Sequence, residues 1–364
     1  MKRKICCVML ALCMLFTGAL PVMATGTNNP GFEEELLEKT FAILQFIEPE
    51  KEMYGMAGVD FSSLYLGARI PAYIVQATGI VEETDILYYP IMSGSKWVAT
   101  AIVTPDSAGK TNVQISVEYA QAYNNKGAMG EVALVFDESA AYVMTQQDIL
   151  MAAVSPDTMP GRASIQDFPE AANINRTRLV AEQAIGNVYS TRGSVNQYYL
   201  QIPLVKQAAG SDQCWAACIT SICGYYGTKT TIDKVYEAAG VPKYQGATVR
   251  VADTTLKSFG FSTNWEKYGY TWEQMELALY GSDAPIYTTC KYYDNGNGTS
   301  NGHAVVIRGF YVYQNISQVG IISYMDPIKG VYAASTVETD GDFKYVPPGS
   351  SKEYDMVDFV EVIG

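Results

Sequence analysis

The chain contains one histidine, His303, inside the apolar run Asn-Gly-His-Ala-Val-Val-Ile-Arg-Gly-Phe at 301–310. Upstream, Cys214 opens the segment Cys-Trp-Ala-Ala-Cys at 214–218. A cysteine hydrolase needs a thiol nucleophile and an imidazole to take its proton. If this chain does such chemistry near neutral pH, the imidazole has a single possible identity. Cys214, Ala217, Cys218, Ser221, Ile222 and Tyr225 recur at helical spacing, and Gly227 follows them. That pattern predicts a buried helix beginning at Cys214, with Ser211 or Asp212 as its cap. A sulfur in the first turn of a helix lies where the dipole and unpaired N–H groups favour negative charge.

The elements that must position these residues are readable more coarsely. Phe32, Leu36, Leu37, Phe41, Leu44 and Ile47 predict an amphipathic, acidic helix over 31–48. Short β-rich runs follow at Ile70–Ala77, Ile86–Ile91, Lys96–Thr104, Thr111–Glu118, Glu131–Phe136 and Ala141–Thr145. They read as an antiparallel meander without histidine or cysteine, and so without a catalytic constellation. Residues 155–196 are punctuated by Pro156, Pro160, Gly161 and Pro169. They read as a connector open to proteolytic nicking, helical in part over 177–187. A strand is expected from about Val319 to Tyr324, ahead of Met-Asp-Pro at 325–327.

Lys2, Arg3 and Lys4, then apolar Ile5 to Phe16, then Val22-Met23-Ala24 form the pattern of a secretory signal peptide. Cleavage after Ala24 is expected to leave 340 residues, a length that suggests about two domains. Residues 1–24 carry three basic and no acidic side chains, so their loss moves the formal charge from −13 to −16. Such an acidic chain is repelled by phosphate backbones, which argues against nucleic acid as a partner, and it suits anionic membranes and wall polymers poorly. Of seven cysteines, Cys214, Cys218, Cys223 and Cys290 survive signal removal. Their crowding argues against a general disulfide framework. The lack of a Cys-x-x-Cys pair and the distance of the sole histidine argue against zinc. Cys218, Cys223 and Cys290 read as core or paired residues, with pairing open. Asp294 to Gly298 invites a calcium reading but lacks a distal Glu, and is taken as a loop leading to His303. No cofactor or metal is expected.

Gln207, Cys-Trp-Ala-Ala-Cys, Gly-His at 302–303 and Met-Asp-Pro together resemble a papain-like cysteine peptidase. The likeness is to the secreted branch related to bacteriocin-processing, double-glycine peptidases, and it covers about residues 200–364. It implies Cys214 as nucleophile, His303 as proton acceptor and donor, and Asp326 as the group that orients the imidazole. It implies a Gln207 side-chain donor to the oxyanion hole beside the Cys214 N–H; Gln213 is a nearby competitor. Trp215 and Gly302 are expected at the substrate cleft, Trp215 either as a cleft wall or as a core tryptophan.

The resulting expectation is an α+β chain: signal peptide 1–24, an α+β, meander-rich domain 25–154, connector 155–196, and a papain-like domain 197–364. In that last domain the helix bearing Cys214 packs on an antiparallel sheet. The function expected is a secreted cysteine endopeptidase working through a thioester, monomeric and made as a zymogen. Its partners are peptide substrates and its own pro-segment, with no membrane association after signal cleavage. The front region reads as a pro-segment removed on activation or, in competition, as a permanent binding module. The alternatives for the whole chain are a peptidoglycan amidase or endopeptidase with the same chemistry, and a non-catalytic binding protein on a protease-like fold.

Overall fold

A computed structural model describes residues 30–76, 81–105, 111–128, 130–137, 140–146, 148–154, 174–185, 196–293, 300–312, 319–339, 343–347 and 350–364. The signal-peptide pattern, most of the connector and the Asp294 to Gly298 loop lie outside the described residues. The chain separates into two compact units, 1–35 and Leu36–Gly364. Of the first, only 30–35 are described, the opening turns of helix α1 (Pro30–Ile47). Everything that follows lies in the second.

After α1 come β1 (Leu64–Gly67), β2 (Ala72–Val75), β3 (Val81–Glu83), β4 (Leu87–Ser93), β5 (Lys96–Pro105) and β6 (Thr111–Ser116). Helix α2 (Glu118–Asn125) leads to β7 (Glu131–Phe136), β8 (Ala140–Met144), β9 (Ile149–Val154), β10 (Thr177–Arg178) and β11 (Ala181–Ala184). The expected single meander is instead two sheets. β4, β5 and β6 form one antiparallel run, while β7, β8 and β9 form another that β2 joins in parallel. The reason is packing: Ile70, Tyr88, Trp97, Tyr119, Leu134 and Phe136 bury against one another in a single core. Both sheets need an apolar face for that core, so they cannot be coplanar. The expected helix over 177–187 is replaced by β10 and β11, whose backbone groups pair with β7 and β1.

The later part holds β12 (Asn196–Tyr199), α3 (Cys214–Tyr225), α4 (Ile232–Ala239), α5 (Val249–Ser258), β13 (Ser262–Lys267) and α6 (Trp272–Glu276). It ends with β14 (Ile286–Tyr293), β15 (Ser300–Val312), β16 (Val319–Asp326), β17 (Val331–Glu338), β18 (Lys344–Tyr345) and β19 (Tyr354–Ile363). Thr231 and Thr248 cap α4 and α5 through side-chain oxygens, and Thr271 with Gln274 forms a capping box on α6. β16 is buried along its whole length, as a strand covered on both faces must be.

Among the described residues one thirteen-stranded sheet runs through front and rear, with β6 next to β17. The joining ladder is short, Ile115 to Ala334 and Gln114 to Ser335. It is reinforced by Val113 N–H donating to Thr336 Oγ1 at 2.7 Å. Gln114 grips the backbone of Val346 with both ends of its amide, at 3.0 and 3.1 Å.

Candidate active site

Helix α3 starts at Cys214, as its spacing predicts, and ends where Gly227 takes a φ of 76°. No side chain caps its start; Gln213 occupies the cap position without such a bond. Ser211 Oγ turns instead to the Ala208 carbonyl at 2.6 Å, and Asp212 is exposed. An uncapped first turn leaves backbone N–H groups as donors for a developing oxyanion. Cys214 is half-buried, while Trp215 to Ile219 sink into the core.

His303 lies in β15 and Asp326 ends β16. Val306 pairs with Met325, so Asp326 falls opposite Val305, and His303, two residues earlier, shares that face. The register thus delivers both side chains to one side of the sheet. His303 Nε2 is 3.1 Å from Asp326 Oδ1, which leaves Nδ1 for the thiol. The Cys214 thiol lies near enough to His303 to add to the stabilisation of its charged form.

The electrostatics follow from burial opposed by partners. Burial works against charge on His303, but the Asp326 carboxylate, its hydrogen bond and Cys214 outweigh it and raise the imidazole to about 10. Burial likewise works against the Asp326 anion, yet His303 and Lys329 hold its pKa below the ordinary range. Asp326 has its acceptor sites filled: Ile328 N–H donates to Oδ1 at 2.9 Å, and Tyr345 Oη donates to Oδ2. The Tyr345 ring also stacks on the imidazole, with centroids 5.9 Å apart and planes 21° from parallel. Tyr345 was not expected from the sequence. It sits in the two-residue strand β18, where no periodicity marks it.

Gln207 is buried and donates Nε2–H to the Ser211 carbonyl at 2.6 Å; its backbone N–H bonds Pro327 O at 2.9 Å. The loop carrying it is therefore tied both to the approach to Cys214 and to the turn after Asp326. Its amide nitrogen keeps a second hydrogen for an oxyanion. Gln213 accepts from Ala208 N–H at 3.1 Å and from the Ser211 hydroxyl at 3.2 Å, which makes it a brace for that loop. Gly302 is exposed directly beside His303. Trp215 is only 1 % exposed, so of its two expected places it takes the core. Its indole meets Tyr236 edge-on at 5.1 Å and donates to Gln245 O at 3.0 Å.

Cys214, Cys218, Cys223 and Cys290 all stand as free thiols. Burial raises Cys218 and Cys290 well above the ordinary thiol value, and Cys223 to about 11. Cys290 pairs directly across from His303 in the β14–β15 ladder, behind the imidazole.

Residues 201–279 match the model of the Peptidase C39 family. That segment includes Gln207 and Cys214 and stops before His303 and Asp326, which the fold itself brings to the sulfur. No curated protein matches the chain. Among solved structures it is similar to a double glycine motif protease from an AMS/PCAT transporter, in complex with the leader peptide. The identity is 18 %, the TM-score 0.28, and the match covers 45 % of this chain and 94 % of that one. It is also similar to the peptidase domain of Streptococcus ComA, a bi-functional ABC transporter involved in a quorum sensing pathway. There the identity is 20 %, the TM-score 0.27, and the coverage 44 % and 98 %. The match of residues 201–279, which carry Cys214, to the Peptidase C39 family, a papain-like branch, supports a cysteine peptidase.

Proposed function

We propose that this peptidase is an exported endopeptidase acting through a thioester on Cys214. The observation that carries the reading is the convergence of a half-buried thiol on a helix start with His303, itself held by Asp326. The Cys214 sulfur attacks the peptide carbonyl carbon, and its proton resides on His303. The tetrahedral oxyanion is held by the backbone N–H of Cys214 and the Gln207 amide. Collapse breaks the C–N bond, His303 hands its proton to the leaving amine, and the acyl group stays on sulfur. Water, deprotonated by the same imidazole, then releases the acid and restores the thiol. Asp326 orients the ring and compensates its charge throughout. Exposed Gly302 would give a substrate backbone close approach beside His303.

The basic start, apolar run and Val22-Met23-Ala24 pattern support export. The connector, punctuated by Pro156, Pro160, Gly161 and Pro169, supports synthesis as a single-chain zymogen that is nicked on activation. Of the two fates open to the front region, retention is favoured by specific contacts. Gln114 of β6 clamps Val346, the neighbour of Tyr345, and Tyr345 holds Asp326. Arg308, fully buried, draws on Glu50 at 2.9 Å and on Leu200 O at 2.8 Å. A nick within 155–196 would on this reading leave a two-chain enzyme.

The test is to incubate the purified full-length protein and its Cys214→Ala variant, then read fragments by mass spectrometry and size. Cys214-dependent cuts within 155–196, with both fragments co-migrating, are expected. Cuts that also appear in the variant would remove self-processing. Free migration of an active rear fragment would favour a released pro-segment. A peptidoglycan turbidity assay, expected to be silent, separates this reading from a wall hydrolase.

A further inference from the structure

A cavity of about 310 Å³ opens beside the site, within the usual ligand-pocket range of roughly 300–1,000 Å³. Its rear wall is the loop 206–211 that leads to Cys214, together with Ile328 and Lys329, just past Asp326. Its front wall is Glu118 and Gln121 of α2 and three consecutive residues of β9, Met151, Ala152 and Ala153. None of the front wall belongs to the segment that matches the peptidase family.

A bulge at Ala152, where Tyr142 pairs with Met151 and Ala141 with Ala153, breaks the alternation of side chains, and Met151, Ala152 and Ala153 line one cavity along the strand's edge. β9 ends its sheet among the described residues. The direction of its backbone groups follows from the hairpin it shares with β8. Thr145 N–H donates to Asp148 O at 2.8 Å, closing the turn as a hydrogen-bonded pair. Bonded and non-bonded pairs alternate along an antiparallel ladder. Val143 and Leu150 are therefore bonded, and Tyr142 and Met151 are not. Met151 turns its N–H and C=O away from β8, and its side chain is 61 % exposed. Across the cavity, Gln207 keeps a buried side-chain carbonyl without a partner. Lys329, its side chain 2 % exposed, pairs with Glu118 at 3.4 Å and ties the two walls together.

We propose that this cavity binds the leaving-group side of a peptide substrate, which adds as an extended strand along the free edge at Met151. The inference rests on the endopeptidase reading of Cys214 and on retention of the front region. The side is assigned by the chemistry: the leaving amine must reach His303, and the cavity opens over the turn that follows that ring's partner, Asp326. Main-chain hydrogen bonds to an exposed edge give affinity with little demand on sequence. Gln207 Oε1, buried on the opposite wall, is an unfilled acceptor for a substrate N–H.

Two probes separate the sides of the scissile bond. One is an internally quenched, randomised octapeptide pool, with residues on both sides. The other is a matched pool of acyl-aminomethylcoumarins, which carry no residue beyond the bond. Met151→Pro deletes the outward N–H without touching the β8 ladder, and Met151→Ala restores it. For Met151→Pro, kcat/KM on the octapeptides is expected to fall roughly fivefold to tenfold, the size of one net hydrogen bond. The coumarins should be unaffected, and Met151→Ala should return most of the octapeptide rate. Gln121→Trp, at an exposed position on the same front wall, should reproduce the selective loss by filling the cavity. Cys214-dependent turnover of both pools with unchanged octapeptide rates in Met151→Pro and Gln121→Trp would overturn the proposal and leave the Cys214 reading intact. Equal losses on both pools would overturn it too. Inertness of the unmodified protein toward both pools would remove the endopeptidase reading and the proposal with it.

Discussion

Asp326 Oδ1 lies 3.1 Å from His303 Nε2, and the other oxygen of the same carboxylate accepts the Tyr345 hydroxyl. The ring that donates this second bond also stacks on the imidazole. Asp326 is thus fixed from two directions, and His303 is held at its edge and on its face.

Tyr345→Phe keeps the stacking and removes the bond to Asp326. A loss of about three- to tenfold in kcat is expected, with KM unchanged. Tyr345→Ala removes the ring from a buried site and should cost about 3–5 kcal/mol of stability as well. The pairing of kcat loss without KM change in the Phe variant, measured on the coumarin pool, marks a positioning role. Equal activity of Phe variant and parent would refute it.

Thiol reactivity should divide sharply. Cys214 is half-buried at the helix start, whereas burial raises Cys218, Cys223 and Cys290 above the ordinary thiol value. In protein without residues 1–24, a short pulse of iodoacetamide at neutral pH is expected to modify Cys214 alone, and Cys214→Ala to remain unlabelled. Peptide mass mapping reads the result. Labelling of Cys290 or Cys218 in the folded protein would contradict the burial described here.

The His303–Asp326 pair gives stability a pH window. The folded His303 value, about 10, lies above its ordinary 6.5, so its contribution is complete below 6.5 and is lost as pH rises through 10. Asp326 is lowered from 3.8, so its contribution is present above 3.8 and is lost as pH falls through the folded value. Urea midpoints should therefore be highest between about pH 4 and 6.5 as far as this pair is concerned. Asp326→Asn should flatten both limbs, and an unchanged profile in that variant would count against the pair.

Arg308 is the second test of how the front region is held. Its guanidinium faces Tyr332 at 3.8 Å and Tyr199 at 5.0 Å, and it donates to Ser323 Oγ at 3.1 Å as well as to Glu50 and Leu200. Glu50→Ala leaves this cation buried without its counter-charge and should cost roughly 2–3 kcal/mol. Because Arg308 shares β15 with His303, some loss of activity is expected alongside the fall in urea midpoint. A variant with unchanged stability would show that Glu50 is dispensable.

Much of the site was legible because local chemistry announces itself. Helical spacing starting at Cys214, a single histidine, and Asp-Pro after an apolar strand are short-range signals, and α3, β15 and β16 fall where they point. The acidic helix was equally plain, as were the runs that became β5 and β7. Less was legible of the front region. Strand periodicity reports which residues are half-buried and carries no information on which sheet a strand joins. The two-sheet split of the expected meander therefore appears only once Tyr88, Tyr119 and Phe136 share a core. β10 and β11 were misread as helix because their pairing partners, β7 and β1, lie far away in sequence.

By itself the sequence determined the candidate nucleophile and the only imidazole, since no other residue could fill that second role. The tertiary structure decided what holds them. Tyr345 behind His303, Gln114 gripping Val346, and β9 sharing a cavity with Gln207 join positions about 40 to 230 residues apart. Such contacts are set by sheet order and register. These arise from burying many apolar side chains at once, a global balance that no local window of residues records.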